Sequence, residues 1–229
     1  MAQTSAGQRA AGGSDRTGRR EPGGRYGLLL LVLIATYLLS AFTTGRIITD
    51  IQVLLFLALL LLTLRTSRVR GRMGWLAVGV ALAGSAAALG AALTGTQVGD
   101  GLAALWKGLI LLLAAVLIVS RVLARPTVTV QSIYGALSAY VIIGMMFAAF
   151  YAAVKYLDGG GFFANGQPGN TQTFQYFSFA TLTTVGYGDF TAAINGARAV
   201  AVLEAMTGQI FLATLVARLV SAYRGPSAE

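Results

Sequence analysis

Long apolar runs separated by short polar ones set the layout of the chain. Six follow one another: Leu28–Thr44, Ile47–Leu64, Gly74–Leu93, Leu102–Leu123, Ile133–Leu157 and Ala193–Tyr223. Most reach the roughly 17–25 residues that a helix needs to cross a bilayer. The first is the shortest, while the fifth and sixth run long enough to tilt or to extend past the lipid. A backbone in hydrocarbon must satisfy its own hydrogen bonds, so each run predicts a helix. A further segment, Thr173–Thr183, is apolar and aromatic but too short to cross, and it predicts a re-entrant half-helix. It is preceded by Asp158–Asn170, DGGGFFANGQPGN, whose glycines predict an exposed loop.

Composition agrees with this layout. Of 229 residues, 56% are hydrophobic and 11% charged, against about 25% charged in soluble domains. With no cysteine and no histidine, disulfides, thiolate or imidazole metal sites and Cys or His catalysis are excluded. The runs hold no paired carboxylates, so no enzyme is expected.

The net charge of +9 could suggest a nucleic-acid partner, but its placement points to topology instead. With the N-terminus in the cytoplasm, thirteen of the seventeen Lys and Arg fall on the cytoplasmic side, leaving Arg46, Lys107, Lys155 and Arg198 outside. That asymmetry predicts a multi-pass protein of the cell (plasma or inner) membrane with both termini cytoplasmic and no nucleic-acid partner. Residues 1–26 have the composition of a basic, disordered tail. Arg19-Arg20 is the core of a twin-arginine signal, but no small-x-small cleavage site follows it and further spans do.

Between the half-helix and the sixth run stands TLTTVGYGDF, Thr181–Phe190. Non-helical backbone at membrane depth is tolerated where protein buries it or water bathes it. Gly186 and Gly188 can take backbone angles closed to other residues. Alternated with Val185 and Tyr187, they can turn successive carbonyls to one side. Four such loops around an axis would stack rings of oxygens able to replace the water shell of a cation. The half-helix would aim its partly negative C-terminal end at the same place.

Thr183-Thr184-Val185-Gly186-Tyr187-Gly188-Asp189 resembles the signature of potassium channels, in which a TVGYG loop forms the carbonyl-lined filter. The resemblance covers roughly Ile133–Tyr223. It implies an all-α membrane protein with six transmembrane helices, a re-entrant pore helix and an extended filter, assembled as a four-fold homotetrameric pore. The expected divisions are a four-helix region at 27–125 and a linker at 126–132. A pore domain follows at 133–224, with outer helix 133–157, pore helix 173–183, filter 184–188 and inner helix 193–223. A tail at 225–229 closes the chain.

Carried over residue by residue, the resemblance puts K+ on the Thr184 hydroxyl and carbonyl and on the carbonyls of Val185, Gly186, Tyr187 and Gly188. No other cofactor is implied. Thr183 and Asp189 flank the filter, and the Tyr187 ring is expected against Tyr176 and Phe177. Some family members pair the outer aspartate with a pore-helix glutamate, and Ala180 occupies that place here. Asp189 therefore needs another anchor, for which Tyr176 is the candidate.

On the sixth run, Ala205, Gln209, Leu212, Ala213, Val216 and Ala217 match the family's cavity-lining face. Their alternating three- and four-residue spacing fits one side of a helix. Gly208 stands where related channels place a hinge, and glycine equally suits close packing. Glu204 is the acid placed well inside a span. It is either a gating or conduction element or a carboxyl bonded to Ser178 or Thr181 behind the filter.

The fourth run carries Lys107 and Arg121 with GLILLLAAVLIVS between them, which lacks the regularly spaced charges of a voltage sensor. The first four helices are expected to pack as a bundle beside the pore, with Gly79, Gly84 and Gly90 at close contacts. With few residues after Tyr223, no cytoplasmic regulatory domain is expected in this chain. Together these features predict passive, potassium-selective flux, with K+, lipid and further copies of the chain as partners. Two alternatives stand beside this. A weakly selective cation channel conflicts with the intact GYG triplet. A pore-forming subunit of a potassium uptake transporter would show a second filter-like segment.

Overall fold

A computed structural model describes residues 25–42, 72–124 and 127–222. The expected second span, Ile47–Leu64, lies outside the described residues, as do most of the N-terminal tail and the C-terminal tail. The described residues form six α-helices and no strand: α1 Arg25–Phe42, α2 Arg72–Leu93, α3 Gln97–Ala124, α4 Val130–Asp158, α5 Thr171–Leu182 and α6 Asn195–Ala222. By length and composition α3, α4 and α6 can each cross a membrane. The apolar stretches described in α1 and α2, Tyr26–Ser40 and Gly79–Ala91, are shorter.

Helix ends follow local chemistry. Thr129 caps α4 in a reciprocal capping box with Ser132, which satisfies two backbone donors that a helix start otherwise leaves open. The same helix stops at Gly159, whose φ of 73° is left-handed and whose N–H bonds back to Lys155 O. Asn170 and Thr173 form the equivalent box at the start of α5.

Helix α4 is the hub, in contact with α1, α3, α5 and α6. In lipid, apolar burial does not by itself favour protein over solvent, so close van der Waals approach decides which helices pair. Glycines supply that approach. A Cβ at Gly108 would collide with the Phe150 ring, joining α3 to α4. One at Gly144 would lie 2.6 Å from Phe179 Cε1, joining α4 to α5.

The expected glycine contacts of the third run are corrected in two of three places. Gly84 meets the Trp106 ring of α3, whereas a Cβ at Gly79 or Gly90 would meet nothing. Helix α3 also begins earlier than expected, at Gln97, so Lys107 lies well inside the helix rather than at its outer end. The Asp158–Asn170 loop is not wholly exposed. Phe162 and Phe163 are buried at 2% and 3% exposure, with their rings against Tyr151, Phe174 and Phe177.

Candidate functional site

The site begins where α5 ends. The last carbonyls of a helix have no partner of their own, and here the following residues supply one. Thr183 N donates to Phe179 O, Thr184 N to Thr181 O, and both Val185 N and Gly186 N to Ala180 O, at 2.9–3.1 Å. Among the described residues all peptides are trans, and in a trans peptide the C=O points opposite to the N–H of the next residue. Because the N–H groups of 184, 185 and 186 face the helix end, the carbonyls of Thr183, Thr184 and Val185 face away from it.

Backbone handedness alternates along the same run. Positive φ occurs at Thr184 (59°), Gly186 (51°) and Gly188 (81°), with Val185 and Tyr187 between them on the ordinary side. The two glycines adopt this conformation freely. Thr184 does not: a β-branched residue at positive φ is a true outlier, held at a cost of about 1–3 kcal/mol. Sequence pattern pointed to the glycines and missed this third position. Alternation at every second residue was the available signal, since it places Thr184 in step with Gly186 and Gly188.

The outer end of the run is tied down by side chains. Tyr176 Oη donates to Asp189 Oδ2 at 2.8 Å, and Asn165 Nδ2 donates to Asp189 O at 2.6 Å. That hydrogen bond first, and burial second, push the Tyr176 hydroxyl up to about 12, so it is protonated and donating at neutral pH. The Tyr187 and Tyr176 rings lie nearly parallel, 8° between planes with centroids 6.3 Å apart. Phe177, the other ring expected beside Tyr187, packs instead with Tyr151, Phe162 and Phe163.

The loop before α5 also reaches the site. Ala164 N bonds Thr191 O and Ala193 N bonds Phe162 O, each at 2.8 Å, around the isolated bridge between Phe163 and Ala192. Sequence reading passed over this buttress. The signal was the Phe162-Phe163 pair inside an otherwise glycine-rich loop.

Below the run, Gln209 Nε2 comes within 3.5 Å of Thr184 Oγ1, so this residue of α6 faces the base of the loop. Gln209, Leu212, Ala213, Val216 and Ala217 are exposed in the single chain, and Ala205 is half-buried. Gly208 is buried against α5, where a Cβ would collide with the Leu182 carbonyl oxygen. Glu204 is fully buried behind the loop, with Ser178 Oγ and Tyr151 Oη within hydrogen-bond reach of its two carboxyl oxygens. Of the two hydroxyls expected beside it, Ser178 is present and Thr181 is not. Tyr151, on α4, was unforeseen.

Residues 136–224 match the family model described as "Ion channel". Neither the comparison with curated proteins nor that with solved structures gave a match. The matched stretch runs from α4 past the end of α6 and contains α5, the Thr184–Asp189 run and Glu204. With the apolar helices, it supports an ion channel in a membrane protein.

Proposed function

We propose that the chain is one quarter of a homotetrameric, potassium-selective channel that passes K+ down its gradient. In this reading six helices span the membrane, α5 enters as the pore helix and Thr184–Gly188 line the filter. The observation that carries it is the alternating backbone of that run, with its N–H groups drawn to the end of α5. Carbonyls facing away from the helix can take the place of water around a dehydrated cation.

A single chain supplies one wall of such a pore, and closed cyclic symmetry supplies the others. Exposure of the loop supports assembly, since Val185 and Tyr187 are 52% and 73% exposed in the isolated chain. Uncovered backbone of this kind is not stable against lipid. Neighbouring copies would enclose it, with Gln209 and the small residues of α6 beneath it around a water-filled cavity.

The test is the reversal potential of the purified protein in liposomes under opposed K+ and Na+ gradients. A value near the potassium equilibrium potential, with block by Ba2+, is expected. A value near zero would overturn potassium selectivity and favour a weakly selective cation channel. Tyr187→Asp removes the ring stacked on Tyr176 and places a charge beside the carbonyls. It is expected to shift the reversal potential sharply toward zero, and an unchanged value would refute the filter assignment.

A further inference from the structure

Glu204 belongs to a polar cluster that the proposed ion path does not use. Four groups meet behind the filter loop, from three helices. Ser178 Oγ, on α5, lies 2.6 Å from Gly144 O of α4 and also within hydrogen-bond reach of Glu204 Oε1 of α6. Tyr151 Oη, on α4, lies 2.5 Å from Glu204 Oε2. Ser178 and Glu204 are 0% exposed.

Counting protons decides the state of this cluster. A serine hydroxyl has one hydrogen to donate, and a carbonyl has none. If Glu204 were ionised, Ser178 would donate to it, leaving the serine oxygen and Gly144 O in contact with no hydrogen between them. That juxtaposes two acceptors in a fully buried site, where an unsatisfied polar contact is costly. If Glu204 carries a proton on Oε1, every contact has one hydrogen. The acid donates to Ser178, Ser178 donates to Gly144 O, and Tyr151 donates to Oε2.

We propose that Glu204 is an uncharged carboxylic acid and that the chain Tyr151–Glu204–Ser178–Gly144 is the positioning element that fixes the pore helix behind the filter. Close packing supports the same register, since Ser178 meets Glu204 and, one turn later on both helices, Leu182 meets Gly208. Ala180 and Thr181, which hold the N–H groups of Thr184, Val185 and Gly186, lie two and three residues after Ser178 on the same helix. A shift of α5 therefore moves the filter backbone with it.

The consequence for selectivity rests on the potassium-channel reading; the protonation state does not. The first measurement is the infrared difference between the full-length protein and Glu204→Gln, both in lipid at neutral pH. A protonated carboxylic C=O band belonging to Glu204 is expected, and a carboxylate band pair in its place would overturn the proposal. The second is the K+/Na+ permeability ratio of Glu204→Gln, Glu204→Ala and Ser178→Ala.

A glutamine amide can donate to Ser178 and accept from Tyr151, so Glu204→Gln is expected to stay within about twofold of the native ratio. Glu204→Ala and Ser178→Ala are expected to lower it by about tenfold, the equivalent of one buried hydrogen bond. If Glu204→Gln falls as far as the alanine variants, the charge matters and the neutral acid is refuted. If assembled Ser178→Ala keeps the native ratio, the positioning role is refuted. A native protein with no potassium preference refutes the channel reading instead and leaves the infrared result standing.

Discussion

Helices α4 and α6 are nearly equal in length, at 29 and 28 residues, and both are apolar enough to span a membrane. Their surroundings differ sharply. Of the most apolar window of α4, 67% is buried inside the molecule, against 11% for α6. Apolar content sets which segments enter lipid, and it does not set which of them packs against protein. What distinguishes α4 is small residues matched to large neighbours, Gly144 under Phe179 and Gly135 against Val122. Helix α6 packs through a narrower face, with Glu204 and Gly208 against α5 and Glu204 and Phe211 against Tyr151 and Tyr140 of α4, and exposes much of the rest.

That outward surface has two characters. Leu203, Met206 and Ile210 are large and apolar, as lipid or another copy requires. Gln209, Ala213 and Ala217 form a face of small residues with one amide. An amide facing hydrocarbon is costly, so that face belongs to a water-filled cavity in the proposed tetramer. The chain has no cysteine, which lets engineered thiols compare the cavity face of α6 with an exposed surface elsewhere on the chain. Val216→Cys is expected to give a strong dimer band with a short bifunctional thiol reagent in lipid. Leu89→Cys, exposed on α2, is expected to stay monomeric under denaturing conditions. Equal cross-linking at both sites would overturn the proposed placing of that face around a shared axis.

The two helices are also expected to respond differently to an added methyl group at their glycine contacts. At Gly208 the obstacle is the backbone carbonyl of Leu182, which cannot move without moving the loop after α5. At Gly144 it is the edge of the Phe179 ring, which can turn. Gly208→Ala is expected to destabilise the assembly by about 2–3 kcal/mol, and Gly144→Ala by about 1 kcal/mol, the two ends of the usual overpacking cost. Gly196→Ala, in open space on α6, serves as the control. Thermal unfolding in detergent measures all three. An effect at Gly208 no larger than at Gly196 would show that α6 is free to slide over α5.

Periodicity-free apolar runs and one short motif made the helices and the loop after α5 legible before any coordinates. The bounds of α4 and α5 differ from expectation by one to three residues, because caps set them, and the capping residues Thr129 and Asn170 lie just outside the apolar runs. What was not legible depends on pairing across distance. Gly79 and Gly84 look alike in the sequence, and one faces Trp106 while the other faces nothing. Tyr151 is an unremarkable member of an apolar run until α6 brings Glu204 to its hydroxyl. Thr184 is a hydroxyl residue beside two glycines until the N–H groups of 184–186 turn toward Ala180 and Thr181 and force its φ positive.

The smallest expected effect lies at the exposed end of the loop, where α5 and not α6 does the holding. Tyr176→Phe keeps the ring against Tyr187 and removes the hydrogen bond to Asp189. A modest fall in thermal stability is expected, below that of Gly208→Ala, because water can replace the lost donor at an exposed carboxylate. Its pH dependence identifies the cause. The neutral hydroxyl is the donor, and the bond to Asp189 raises its pKa from 10.0 to about 12 in the folded protein. Folding therefore favours the protonated form, so the stabilisation is full below about 10 and is lost as pH rises through about 12. The stability gap between the native protein and Tyr176→Phe should stay constant from neutral pH to about 10 and then close. A gap that closes well below 10 would mean that something other than this hydroxyl anchors Asp189, and Asn165, bonded to its backbone oxygen, would be the residue to replace next.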